Sequence, residues 1–182
     1  MKKEKKNVRV GRTRRLVEAA LFAAICFGMT TVAVPLPVVG YGNLGDCFVL
    51  LSGWLLGPIW GAVAAGLGTA LADVALGFAV YAPATLVIKA LMAILAFYVG
   101  KLLASDEAGL LRRTAAHVCA AVVGELLMIG GYFAYESMLY GVASATGSLL
   151  GNATQAVVGA VLASTVITVI RGNKTLNRFF ER

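Results

Sequence analysis

PATLVIKALMAILAFYVGK, residues Pro83 to Lys101, decides how this chain is read. A stretch of about 20 apolar residues crosses a hydrocarbon core of about 30 Å, and this one has that length. It opens after Tyr81-Ala82 on a proline, which the first turn of a helix accepts. Its body carries one charge, Lys89. Of the 16 Lys and Arg residues, every other one lies in the N-terminal tail, in one loop or near the C-terminus. An ammonium inside hydrocarbon costs about 2.5–3.5 kcal/mol even on the lenient insertion scale. Lys89 therefore needs a partner or a purpose, and a small-molecule site near the outer face supplies one.

The rest of the composition fits a membrane setting. The chain has 182 residues, 59% hydrophobic and only 14% charged, with a mean hydropathy of +0.83. A soluble domain is about a quarter charged, so the expected class is all-α, an integral membrane bundle forming one domain. The net charge of +7 comes from basic flanks of spans, and once these are set aside no basic face remains for nucleic acid. Cys26, Cys47 and Cys119 are odd in number, lie in apolar surroundings and lack metal-ligand spacing. The only histidine is His117, so neither a disulfide framework nor a zinc site is expected. The basic start and apolar run resemble a signal peptide, but the run is long and further spans follow; it reads as a retained first helix.

Residues 1–15 read as a basic cytoplasmic tail, 16–170 as a substrate-binding domain of six transmembrane helices, and 171–182 as a second basic tail. Helix 1 is expected over 16–34, with Ala19, Ala20, Ala23, Ala24 and Gly28 in a small-residue pattern that lets helices approach closely in lipid. Pro35 and Pro37 stop it, and 35–43 is an ordered loop candidate with Asn43 or Asp46 capping helix 2. Helix 2 (47–56) is short and ends at Gly57-Pro58. Helix 3 follows over 59–76, helix 4 over 83–101, helix 5 over 114–135 and helix 6 over 147–170. The segment 136–146 is an outer loop. Both termini then lie in the cytoplasm, all flanking charges fall on that side, and the outer loops carry no Lys or Arg.

The intramembrane polar groups agree in depth at about 1.5 Å per residue. Lys89 lies about 9–10 Å into helix 4. Asn152 and Gln155 share a face of helix 6, with Gln155 near that depth. Glu125, Met128, Tyr132, Tyr135 and Glu136 share a face of helix 5, with Tyr132 level with Lys89 and Glu125 deeper. Polar groups set in apolar walls describe a small-ligand pocket. The candidate binding residues are Lys89, Tyr132, Asn152, Gln155, Glu125, Tyr135, Tyr81, Asn43 and Tyr41: the tyrosines stack on a flat ring and the polar groups read its edge. Each has a structural alternative. Lys89 could pair with Glu125, Asn152 and Gln155 could be interhelical glue, and Tyr81 and Tyr135 could be belt residues. Asp46 and Asp73 read as caps or structural partners, and Glu18 and His117 lie outside the site.

The residues reached so far resemble a known family. Asn43-Leu44-Gly45-Asp46, Phe48-Val49-Leu50-Leu51, Gly57-Pro58, Leu71-Ala72-Asp73, Tyr81-Ala82-Pro83 and Ile88-Lys89 are similar to the S components of energy-coupling factor (ECF) vitamin transporters. The branch is the riboflavin-type one, which includes binders of hydroxymethylpyrimidine or pyridoxine. The resemblance implies a vitamin-binding subunit of a bacterial cytoplasmic membrane importer. It also implies a transmembrane coupling protein (T component) and two cytoplasmic ATPases as partners. No cofactor belongs to this chain; ATP and Mg belong to the ATPases. Ala19 with Ala23 and Ala20 with Ala24 would match the face that docks on the coupling protein. The compact polar set favours a single-ring alcohol, hydroxymethylpyrimidine or pyridoxine, over riboflavin. The competing readings are a stand-alone transporter driven by protons through Glu125 and Lys89, and an intramembrane enzyme. The second lacks a paired nucleophile and base.

Overall fold

The computed structural model describes residues 11–36, 40–105 and 108–180. In chain order these form α1 (Arg12–Thr31), β1 (Ala33–Leu36), β2 (Gly40–Asn43), α2 (Gly45–Leu56), α3 (Pro58–Ala75), α4 (Ala82–Leu103), α5 (Leu110–Tyr140), α6 (Val142–Gly172) and α7 (Lys174–Phe180). The architecture is an all-α bundle with one small hairpin. Helices α3, α4, α5 and α6 are long and apolar enough to cross a membrane.

The shortest of the six bundle helices holds the middle. At 1.5 Å per residue the twelve residues of α2 reach about 18 Å. Yet α2 packs against α1, α3, α4 and α6, and nine of its residues are buried. Apolar residues on every side, Val49, Leu50, Leu51 and Trp54 among them, mark a helix meant to be surrounded. The Trp54 indole N–H donates to the Ala96 carbonyl at 2.9 Å, joining α2 to α4. Ser52 donates to the Val49 carbonyl (2.7 Å) and lies 3.1 Å from that of Gly61. Gly57 follows at φ 86°, a conformation only glycine takes freely, and Pro58 starts α3.

Three expectations change. The segment after helix 1 is an antiparallel hairpin, pairing Ala33 with Asn43 and Leu36 with Gly40. Accordingly α1 ends at Thr31, because Val32 turns to extended backbone. The second change concerns 136–146, which is helix on both sides of a single break at Gly141, where φ is 85°. Residues 136–140 and 142–146 contain no proline or glycine, so nothing stops a helix as it leaves the hydrocarbon. The third change is smaller: α4 and α5 also run past their expected cytoplasmic bounds, to Leu103 and from Leu110. Most of the basic N-terminal tail and the end of the C-terminal tail lie outside the described residues.

The four candidate docking alanines divide. Ala19 is buried, and a side-chain carbon added at Gly68 of α3 would collide with the Ala23 carbonyl. Ala19 therefore packs inside the bundle, while Ala23 is half-buried with its backbone against α3. Ala20 and Ala24 are exposed beside Val17, Leu21 and Phe27, which are exposed as well.

Candidate functional site

Asp46 stands in the first turn of α2, which has no side-chain cap of its own. The positive end of the helix dipole favours a carboxylate there. Both its oxygens are engaged. Lys89 of α4 donates to Oδ1 as a buried ion pair. Gln155 of α6 donates through Nε2 to Oδ2 at 2.7 Å. Gln155 Oε1 in turn accepts from Asn43 Nδ2 at 3.1 Å, and Asn43 Oδ1 accepts from the Gly45 N–H at 2.9 Å. One carboxylate thus ties α2, α4, α6 and the end of the hairpin together. The Lys89 ammonium also stands 5.5 Å from the centre of the Tyr132 ring, within cation–π range.

Above this network lies a cavity of about 290 Å³. It is lined by Thr30, Asn43, Thr69, Asp73, Phe78, Tyr81, Thr85, Lys89, Tyr132, Glu136, Asn152 and Gln155. Some wall groups already have partners: Thr85 Oγ1 and the Tyr132 hydroxyl are 2.8 Å apart, and Thr69 donates to the Ala65 carbonyl at 2.7 Å. Others do not. Thr30 Oγ1, Asp73 Oδ2 and Glu136 Oε2 are buried with no hydrogen-bond partner among the described residues. The Asp73 and Glu136 carboxyls also have the Thr85 and Tyr81 hydroxyls as hydrogen-bonding neighbours, so the oxygens left over are spare acceptors on the wall. Burial, with Glu136 and Tyr140 beside it, pushes the Tyr81 phenol up to about 12. Tyr81 therefore stays a neutral donor at the mouth. Its ring lies 6.0 Å from Tyr135 and 6.4 Å from Tyr140, centre to centre.

The expected site residues do not all meet there. Lys89, Tyr132, Asn152, Gln155, Tyr81 and Asn43 line the cavity. Tyr135 braces it from outside, its hydroxyl donating to the Val80 carbonyl at 2.5 Å. Glu125 is buried about two turns deeper on α5 and is not on the wall; neither of its oxygens has a partner among the described residues. The Lys89–Glu125 ion pair does not form, because Asp46 takes the ammonium. The Tyr41 side chain lies outside the described part of the structure. Glu18 pairs with Arg14 at 2.7 Å and His117 packs edge-on against Trp54 at 4.8 Å, both away from the cavity.

The wall also holds Thr30, Thr69, Asp73, Phe78 and Thr85, with Asp46 behind it, and Glu136, which helical period grouped with Tyr132 but which was not among the candidate binding residues. A signal existed for most of them. Thr85 precedes Lys89 by four residues, Glu136 follows Tyr132 by four, and Asp73 follows Thr69 by four. Helix neighbours at that spacing share a face. Among the described residues no group of three or more His, Cys, Asp or Glu is placed to hold a metal.

A family model described as "ECF-type riboflavin transporter, S component" matches residues 11–172. A protein of Pyrococcus woesei, described as "Uncharacterized protein in gap 3'region", is 33% identical over 137 residues. The match covers 74% of this chain and 86% of that protein.

Proposed function

This chain belongs to the family of S components of ECF-type riboflavin transporters, and we propose that it captures a single-ring vitamin or vitamin precursor in the cavity above Asp46. Members of the family are substrate-binding membrane subunits, not enzymes, and they work with a T component and ATPases. The observation that carries the cargo site is the wall itself. A space of about 290 Å³ is ringed by polar groups from α3, α4, α5 and α6, and three buried oxygens on it lack partners. Small-molecule sites run from about 300 to 1,000 Å³. A cavity at the small end suits a substituted pyrimidine or pyridine, hydroxymethylpyrimidine or pyridoxine, better than a tricyclic ring with a sugar-alcohol chain.

In this reading the six-helix bundle crosses the membrane with both termini inside, as the basic flanks favour. The exposed alanines Ala20 and Ala24 face the coupling protein, and ATP and Mg are held by the two ATPases. The test is ligand binding by the detergent-purified chain alone. Riboflavin, pyridoxine, pyridoxal, hydroxymethylpyrimidine and thiamine are screened by thermal shift and then by calorimetry. A single-ring ligand that binds and is lost in Lys89→Ala supports the reading. Tight binding of riboflavin alone overturns the cargo, and no binding by any of the five overturns the site.

A further inference from the structure

The end of the bundle opposite the cavity above Asp46 holds a second, smaller space of about 120 Å³. It lies where α4 and α6 end and α5 begins. Each of these helices sends one cationic side chain to its wall: Lys101, Arg113 and Arg171. Trp54, Phe97 and His117 stand beside them, and none of the lining residues is acidic. Arg113 and Arg171 are half-buried, whereas Arg112 is exposed and lies off the wall. Drawing a charged group partly out of water is costly unless a partner meets it. Like charges crowded into one small space also repel one another, and an anion among them relieves that repulsion.

The neutral groups on this wall are committed. The Trp54 N–H goes to the Ala96 carbonyl. His117 Nδ1 lies 2.7 Å from the Arg113 carbonyl, which only accepts, so Nδ1 carries a proton. Lys101 stands 5.7 Å from the centre of the Phe97 ring, close enough for the ring face to hold it at the rim. Arg171 donates through Nη1 to Asn177 Oδ1 at 2.9 Å, but a guanidinium has five N–H donors, and one partner does not exhaust them. Apolar surface edges the recess. Leu102 and Leu111 are each 85% exposed, and Leu103 and Leu110 are exposed as well. These leucines close α4 and open α5, the helix ends that carry Lys101 and Arg113.

We propose that this recess holds the phosphate of an anionic phospholipid headgroup, with the acyl chains along the apolar ends of α4 and α5. Basic recesses between membrane helices on the cytoplasmic side, where the orientation proposed above puts this one, take such headgroups. Arginine forks match phosphate oxygens two at a time. The space is well below the ~300 Å³ at which small-molecule sites begin, so it suits one charged group and not a second cargo. The two cavities share no lining residue, so the proposal stands apart from the identity of the cargo. The rival occupants are free phosphate and the chain's own Asp106 and Glu107, which follow Ser105 of the wall in sequence and lie outside the described residues.

The test uses the full-length protein purified in detergent and given equal amounts of phosphatidylglycerol and phosphatidylcholine, the retained lipid being counted by native mass spectrometry. The expected result is preferential retention of phosphatidylglycerol. Arg113→Gln and Arg171→Gln should each lower that preference by at least about tenfold, since each loses charge-assisted bonds. Arg112→Gln, which removes a neighbouring charge off the wall, should leave it unchanged. Lys101→Gln replaces either variant that does not fold, as judged by its unfolding midpoint. Equal retention of the two lipids, or an equal loss in Arg112→Gln, overturns the proposal. Displacement of the lipid by inorganic phosphate also overturns it, because the site is then one for a free anion. So does a preference that appears only when Asp106→Asn and Glu107→Gln are combined, because the loop then fills the recess in the native protein.

Discussion

Lys89 is held by Asp46, forty-three residues earlier at the start of α2, and not by Glu125. The pair is buried on both sides, with side chains 5% and 1% exposed. Removing one partner of such a pair leaves an uncompensated charge and costs about 3–5 kcal/mol, whereas replacing both with apolar groups of similar volume is often neutral. Lys89→Met and Asp46→Leu should each lower the unfolding midpoint in detergent far more than the double variant does. Additive losses in the double variant would show that the pair is not coupled.

Gln155 joins the same carboxylate to the hairpin. Gln155→Ala strands Asp46 Oδ2 and the Asn43 amide, a loss of about 1–3 kcal/mol. Amide exchange across β2 should speed up while α3 stays protected, as mass-spectrometric exchange would show. Uniform loosening of all helices would assign Gln155 a global role instead.

Thr85 and Tyr132 bond to each other across α4 and α5. Hydrogen bonds between helices in membranes average about 0.6 kcal/mol. A double-mutant cycle with Thr85→Val and Tyr132→Phe should return a coupling of about that size, below the Lys89–Asp46 coupling.

Gly159 of α6 has no room for a methyl group. An added carbon would sit 2.6 Å from Glu125 Oε1 and 2.8 Å from Asp46 Cβ. Gly159→Ala should cost about 1–3 kcal/mol by overpacking, and Glu125→Ala in the same chain should recover part of it. A neutral Gly159→Ala in thermal unfolding would mean that α6 is free to move outward.

On α1 the inward and outward alanines should behave oppositely. Ala20→Trp and Ala24→Trp are expected to keep the unfolding midpoint and ligand affinity but prevent co-purification with the coupling protein. Ala19→Trp should instead destabilise the isolated subunit, since that residue is 4% exposed. Retained assembly in both exposed variants would move the docking surface elsewhere.

Much of this arrangement was legible in the chain. The apolar runs, their proline and glycine stops and the lone charge at Lys89 located the bundle helices and the end of the bundle that holds the cavity. Helical spacing grouped Tyr132 with Glu136 and Asn152 with Gln155. What the spacing could not supply was the partner of Lys89. Asp46 and Glu125 were both available, and the choice depends on how far α2 is inserted between α4 and α6, which no local pattern encodes. The segment 136–146 is helical instead of an outer loop because Gly141 is the one residue in it that interrupts a helix. The alanines of α1 shared a composition but not a direction, and only packing against Gly68 distinguishes them.

The brevity of α2 has a consequence for the space beside it. Twelve residues leave α2 about 12 Å short of a 30 Å hydrocarbon core. The hairpin leads into the first turn of α2, and Asn43 at the hairpin's end lines the cavity. Capacity would then be set by where α2 begins. An extra turn inserted ahead of Gly45 is expected to displace Asn43 and narrow the chamber while the outer bundle stays unchanged.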